Sequence, residues 1–244
     1  MELVVTIMAA GEGKRMNSPL PKVLHMFNGK PMLVRIIEIA QKLSPSKIIV
    51  VTGKHDILIR GTISTYMSIE SIVFVNQVEP RGTGDAIRQC LPHYSPGENV
   101  LILNGDMPLI TQDILERFIK RASNIRILVA RFTNPTGYGR IIYNSSGVVE
   151  IVEEKDCAAE QKLVDIINTG IYIINSMLLK MYIPEITNKN AQNEYYLTDI
   201  VKIIGSEAGI TIDANLIDES ENTYVSGVNT QEELAALESS YVKN

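Results

Sequence analysis

The chain has 244 residues, with 23 basic against 28 acidic side chains for a formal net charge of −5, and 45% hydrophobic and 21% charged residues. That is a soluble globular composition, and an acidic balance with scattered Lys and Arg disfavours binding to a nucleic-acid polymer. The longest uncharged run, Ile166 to Leu179, is 14 residues long and includes Asn168, Thr169, Asn175 and Ser176, too short and polar to span a bilayer.

The amino terminus carries Glu2 where a secretory leader has basic residues, so a cytoplasmic location is expected. Short β-branched runs then alternate with amphipathic stretches. Leu3–Met8, Lys47–Thr52, Ser71–Val75, Val100–Leu103 and Ile125–Arg131 read as buried strands. Pro31–Leu43 reads as a helix with Leu33, Ile36, Ile37, Ala40 and Leu43 on one face, and Thr83–Leu91 and Thr111–Ala122 share that spacing. This order implies an α/β fold with a mainly parallel central sheet flanked by helices. Ligands of such a sheet bind at the carboxyl ends of its strands. Cys90 and Cys157 stand far apart without metal-ligand spacing, which excludes a disulfide framework or zinc site.

From about residue 135 the pattern changes. Gly139–Tyr143 and Val148–Glu153 flank Asn144-Ser145-Ser146-Gly147 as a hairpin. Strand Ile166–Ile174, helices Ser176–Tyr182 and Thr198–Glu207, strand Ile210–Ala214 and helix Thr230–Tyr241 follow. The expected organisation is one domain: a first lobe over 1–134, a smaller lobe over 135–225, and a terminal helix over 226–244 returning to the core.

The first strand ends in Met8-Ala9-Ala10-Gly11-Glu12-Gly13-Lys14-Arg15-Met16, followed by Pro19-Leu20-Pro21-Lys22. Glycines in such a turn let backbone N–H groups face an anion. Neither the dinucleotide fingerprint nor a P-loop is present: Met16 replaces the third glycine and no Gly-Lys-Ser/Thr occurs. Pro19 and Pro21 prevent a helix from starting at the loop, so an anion here depends on the loop and on Arg15 and Lys22. Taken singly, Asp106 reads as a turn-capping acid, Asn229 as a helix-start residue and Gln77 as a loop amide.

Taken together, the motifs resemble a known family. Gly-x-Gly-x-Arg-Met with Pro-Lys is similar to the signature of sugar-1-phosphate nucleotidyltransferases. Gln77 with Gly82-Thr83-Gly84-Asp85-Ala86, Leu103-Asn104-Gly105-Asp106, Gly137-Tyr138-Gly139-Arg140, Ile151-Val152-Glu153-Glu154-Lys155-Asp156, Ile167-Asn168-Thr169-Gly170, Glu194-Tyr195-Tyr196-Leu197-Thr198-Asp199 and Gly227-Val228-Asn229 follow in order. Within the family they resemble the uridyltransferase domain of bifunctional GlmU enzymes, without the β-helical acetyltransferase part; acetyltransferase activity is therefore not expected.

The resemblance implies a Rossmann-like nucleotidyltransferase fold with a smaller sugar-binding lobe. It implies transfer of UMP from UTP to N-acetylglucosamine 1-phosphate, giving UDP-N-acetylglucosamine and pyrophosphate, with Mg²⁺ on Asp106 and Asn229. By the same resemblance Arg15, Lys22 and Asp106 would take the catalytic roles. Met8, Ala9, Ala10, Gly11, Gln77, Gly82, Thr83, Asn104 and Gly105 would hold the nucleotide, with Gly82 allowing close approach to the base. Gly139, Glu154, Asn168, Tyr196 and Thr198 would hold the sugar. Three positions depart from the family pattern: Lys14 replaces a small hydroxyl residue, Asn104 an aromatic one and Asp85 a histidine. Two other readings are an enzyme for another pair, such as glucose 1-phosphate or dTTP, and a non-catalytic nucleotide-sugar-binding subunit.

Overall fold

Strand Leu3–Met8 (β1) lies inside the sheet because its side chains, Thr6 apart, are apolar on both faces, the pattern of a strand covered on two sides. The computed structural model describes residues 2–121, 123–144 and 147–241. After β1 come the hairpin Met26–Phe27 (β2) and Lys30–Pro31 (β3), helix Met32–Lys42 (α1), strand Lys47–Thr52 (β4), helix Asp56–Ser64 (α2) and strand Ile72–Asn76 (β5). Helix Thr83–Cys90 (α3), strand Asn99–Asn104 (β6), helix Gln112–Ile119 (α4) and strand Ile125–Arg131 (β7) complete the first half. The second half holds Arg140–Asn144 (β8), Gly147–Val152 (β9), Ile166–Asn175 (β10), helices Ser176–Tyr182 (α5) and Asp199–Glu207 (α6), strand Asp213–Leu216 (β11) and helix Gln231–Tyr241 (α7).

Among the described residues these strands form a nine-stranded sheet in the order β11-β7-β10-β6-β1-β4-β5, with β8 and β9 branching off β10. Pairing is parallel across β6-β1-β4-β5 and between β7 and β11. β10 runs antiparallel between β6 and β7, and the β8–β9 hairpin is antiparallel too. The segment 135–225, expected as the smaller lobe of one domain, contributes β10 and β11 to the central sheet itself. Ser145 and Ser146 of the expected hairpin turn, and Ala122 at the end of an expected helix, lie outside the described residues.

Alternate side chains build two cores. Val5, Ile7, Ile48, Val50, Leu101 and Leu103 pack under α1, α2 and α4, whose Leu33, Ile36, Ile37, Ile59, Ile63, Leu115 and Phe118 are all buried. Val4, Ile49, Val51, Val100 and Ile102 face α3, α5 and α6 through Ile87, Leu179, Ile200 and Ile204. Among the described residues no helix is long and apolar enough to cross a membrane.

Two elements escape the sequence pattern. Helix α2 begins at His55 without a side-chain cap, and Asp56 with Arg60 one turn later (2.8 Å) supports it locally. The β2–β3 hairpin turns at Asn28 (φ +47°) and Gly29 (φ +74°), the left-handed pair that a tight hairpin requires. β11 starts three residues later than expected. Asp213 pairs in register with Arg126, and their side chains form an ion pair at 2.6 Å.

Arg126 is 1% exposed and also donates to the Phe118 carbonyl at 2.6 Å. Removing its carboxylate strands a buried guanidinium, so Asp213→Ala is expected to lower unfolding free energy by about 3 kcal/mol. Asp113→Ala, which breaks an exposed pair with Arg117, is expected to change it by less than about 0.5 kcal/mol. Urea unfolding of both variants checks the contrast.

Candidate active site

Three chain segments meet where β1 and β6 end. The loop after β1 folds back on itself because Gly13 adopts φ +61°, and a Cβ there would lie 2.5 Å from the Cβ of Lys22. Gly13, and not the open Gly11, is the glycine this turn requires. Glu12 ties the loop down, accepting from Lys14 (2.9 Å) and Lys54 (2.8 Å); these two ammonium groups hold its carboxyl down to about 2. The extra cation at Lys14 is therefore matched by an acid two residues before it.

The second segment follows β6. Gly105 N–H donates to the Met8 carbonyl (2.9 Å), which carries the chain to Asp106 directly beyond the sheet edge. The third precedes α7. Val228 N–H donates to the Asp106 carbonyl (3.0 Å). Glu233 accepts from the Asn229 N–H (2.6 Å) while its own N–H donates to Thr230 Oγ1 (3.1 Å), a reciprocal cap that fixes the backbone at Asn229.

The side chains then converge. Lys22 Nζ donates to Asp106 Oδ2 in a short contact and approaches Asn229 Oδ1 at 3.3 Å. Arg15 Nη2 donates to the same Asn229 oxygen at 2.8 Å. Two cations and two oxygen donors thus occupy one end of a cavity of about 440 Å³. Both oxygens touch one ammonium, so they are close enough to share a single cation. Among the described residues no cluster of three or more His, Cys, Asp or Glu could hold a metal. A metal here would have two protein oxygens and take its other ligands from water and phosphate, the habit of Mg²⁺.

Met8, Ala10, Gly11, Gln77, Gly82, Thr83 and Asn104 also line this cavity. Ala9 and Gly105 lie beneath it, with their N–H groups spent on the carbonyls of Val51 (2.8 Å) and Met8 (2.9 Å). Gly82 has φ +108°, and a Cβ there would stand 2.6 Å from the Tyr195 carbonyl oxygen. Its smallness therefore serves the packing of the 194–197 segment, which also donates Leu197 N–H to Thr83 Oγ1 (3.0 Å).

A second hollow of about 200 Å³ adjoins the first through Met8, Thr83, Asn104, Asp106 and Asn229. It opens where β10 changes partner, from β8 at Ile167 to β6 at Tyr172. The bulge between contains Gly170 (φ +79°), and a Cβ there would lie 2.3 Å from Asn104 Nδ2. Gly139, Asn168 and Thr198 line this hollow. Asn168 is fixed by donating to the Tyr172 hydroxyl (2.6 Å) and accepting from Gly170 N–H (3.1 Å).

Two expected residues are not brought here. Glu154 turns to the buried Arg140 (2.6 Å) and accepts from Gly137 N–H (3.2 Å). Its neighbour Glu153 faces the hollow instead, accepting from Thr198 Oγ1 at 3.0 Å. Adjacent acids at a strand end point to opposite sides, and the partner Arg140 decides which turns away. Tyr196 is buried in a different hollow, beside Asp156, Asn190 and Asp199. A larger depression of about 540 Å³ beside α1 and α4 contains no comparable convergence; its Arg35 is occupied with the Pro108 carbonyl and the Phe27 ring.

The fold and site define an α/β protein that gathers cations and oxygen ligands at the carboxyl edge of its central sheet. The profile of the MobA-like NTP transferase domain matches residues 5–170, and the chain belongs to that family. It is 42% identical over 245 residues to a probable UDP-N-acetylglucosamine pyrophosphorylase of Acanthamoeba polyphaga mimivirus, covering 98% of this chain and 96% of that one. It is 39% identical over 240 residues to the bifunctional protein GlmU of Methylobacillus flagellatus, covering 98% of this chain. The chain spans 51% of that relative's length. In fold it is similar to a UDP-glucose pyrophosphorylase solved with UDP-glucose (TM-score 0.76, 18% identity, 100% and 99% of the two chains). An inositol-1-phosphate CTP transferase from T. maritima is also similar (TM-score 0.73, 13% identity, 97% and 94%).

Burial raises the Glu153 carboxyl above the usual range, and the acids Asp199, Asp156 and Glu194 add to this against the Thr198 hydrogen bond. A carboxyl raised on folding stabilises the protein below its unfolded value, and that contribution is lost as pH rises through the folded value. Glu153→Gln is therefore expected to gain stability over the parent as pH rises from the ordinary carboxyl range toward neutrality, with no gain in acid. Thermal melts across that window check the direction.

Proposed function

We propose that this chain is a UDP-N-acetylglucosamine diphosphorylase, transferring UMP from UTP to N-acetylglucosamine 1-phosphate with release of pyrophosphate. The observation that carries the reading is the meeting of Arg15, Lys22, Asp106 and Asn229 at one end of the cavity. The similarity along nearly its full length to a probable UDP-N-acetylglucosamine pyrophosphorylase supports the choice of substrates.

In this reaction a phosphate oxygen of the sugar phosphate bonds to the α-phosphorus of UTP, and the bond from that phosphorus to the β-phosphate bridge breaks. The nucleophile is already an anion, so no residue need remove a proton. The obstacle is repulsion: two unit charges about 4 Å apart cost roughly 4 kcal/mol at an effective dielectric of 20. Lys22 offers a positive charge where the phosphates meet, and Arg15 steadies the leaving pyrophosphate. Asn229 accepts hydrogen bonds from both cations, holding them at one point before ligands arrive. The hard oxygens of Asp106 and Asn229 suit Mg²⁺, which when bound neutralises phosphate charge. Gln77 faces the base, while Asn168, Thr198 and the backbone at Gly139 face the sugar. Glu153 joins that sugar side in place of Glu154. A cytoplasmic site of action belongs to the same proposal, because its substrates are soluble anions.

Lys22→Ala and Asp106→Ala are each expected to lower kcat by at least about a hundredfold, on the scale of one lost electrostatic contact in the transition state. Pyrophosphate release, measured over a panel of sugar 1-phosphates and nucleoside triphosphates with and without chelator, provides the test. Strongest release with UTP and N-acetylglucosamine 1-phosphate, abolished by chelator, is the expected result. Turnover within tenfold of the parent in either variant would remove that residue from the mechanism, and nucleotide-sugar binding without turnover would replace catalysis by regulation.

A further inference from the structure

On the nucleotide side of the cavity stands a buried carboxylate that the chemistry above does not use. Asp85 lies on the first turn of α3 and is 6% exposed, and an acid is electrostatically welcome at a helix start. Its Oδ2 accepts from Gln77 Nε2 at 2.8 Å. The same Nε2 donates to the Gly82 carbonyl at 3.0 Å. Gln89 Nε2 approaches the other carboxylate oxygen at 3.4 Å.

These contacts decide which way the Gln77 amide points. A primary amide has two N–H donors on one side and an acceptor oxygen on the other. Turned over, Gln77 would press its oxygen against a carbonyl and a carboxylate, neither of which has a hydrogen to give. Both donors are therefore spent inside the wall, one in a charge-assisted bond. Oε1 makes no hydrogen bond among the described residues, and Gln77 lines the cavity. The wall thus offers the ligand an acceptor and withholds a donor.

We infer that Asp85 is a positioning residue for base choice: it locks Gln77 so that the cavity accepts a base with an imide N–H and rejects one with a ring-nitrogen lone pair there. Uracil has such an N–H at N3, and cytosine has a lone pair at that atom. Two acceptors face to face in a buried site leave both unpaired, the situation in which polar sites discriminate most strongly. Thymine shares the uracil edge, so the lock separates uracil and thymine from cytosine only. The inference rests on the proposed function in placing the base at Gln77.

Calorimetric titration of UTP and CTP into the full chain, alongside pyrophosphate release with N-acetylglucosamine 1-phosphate, tests it. The parent is expected to prefer UTP to CTP. In Asp85→Asn the new amide can donate to Gln77 Oε1, so that the Gly82 carbonyl alone still favours the parent orientation and the Gln77 amide turns its donors to the cavity more readily. The UTP-to-CTP affinity ratio is then expected to fall at least about tenfold, chiefly through tighter CTP binding. A merely structural role would weaken both nucleotides together and leave the ratio unchanged. If Asp85→Asn fails to fold, Asp85→Ala carries the same expectation, because a methyl group also removes the carboxylate acceptor. A ratio within twofold of the parent in a folded variant, or equal UTP and CTP affinity in the parent, overturns the inference. A shifted ratio without any turnover by the parent overturns the proposed reaction and leaves the lock standing. Turnover with UTP beside an unchanged ratio overturns the lock alone.

Discussion

One ammonium group organises the candidate active site. Lys22 lies against Asp106, 84 positions along the chain, and Asn229, 207 positions along. Each of the three residues is delivered by a different device: a glycine turn that folds the first loop inward, a backbone bond from Gly105 to the end of β1, and a cap at the start of α7. Charges held in place before substrate arrives need no reorganisation during reaction, which is why such arrangements are effective with polyanions.

The room for a ligand comes from the sheet. β10 runs against the parallel set and is shared between β6 and β8, so the sheet forks beyond Asn104. A bulge with Gly170 in the left-handed region lets β10 bend at that fork, and Asn104 fills the space a side chain at Gly170 would need. The two hollows meet there and share Asp106 and Asn229, so a ligand reaching from one to the other passes the charged cluster.

Several polar side chains in the cavity walls are held by neighbouring groups before any ligand binds. Asn168 is held by Tyr172 and Gly170, Glu153 by Thr198, and Gln77 by Asp85 and Gly82. A buried polar group left unpaired costs free energy, so each such contact both stabilises the fold and orients the group. Glu153 shows the limit: its carboxyl is pushed up by burial despite the Thr198 bond, so ionisation there works against folding. Arg126, buried outside the cavity lining against Asp213 and the Phe118 carbonyl, aligns β11 on β7 instead.

Much of this was legible from residue pattern. Runs rich in aliphatic residues such as Leu3–Met8 and Ile125–Arg131 locate sheet strands because a strand covered on both faces is mostly apolar, even where it carries a buried Thr6 or Arg126. The family resemblance carried by the loop, acid and asparagine motifs pointed to Arg15, Lys22, Asp106 and Asn229 as a set. Pattern has no access to strand direction when a strand arrives from far along the chain, so β10 could not be read as an antiparallel strand inside the sheet. It also failed for α2 and the β2–β3 hairpin, where local pairs and left-handed turns outweigh periodicity. Which of two neighbouring acids enters the hollow was beyond it, because Arg140 must first be in place to draw Glu154 aside. The same holds for Asp85, an unremarkable helix-start acid until folding brings the Gln77 amide onto it. Sequence determined which chemistry is present and near which strand ends. Tertiary structure alone decided which way each side chain faces, because orientation depends on partners that only the folded chain brings within hydrogen-bonding distance.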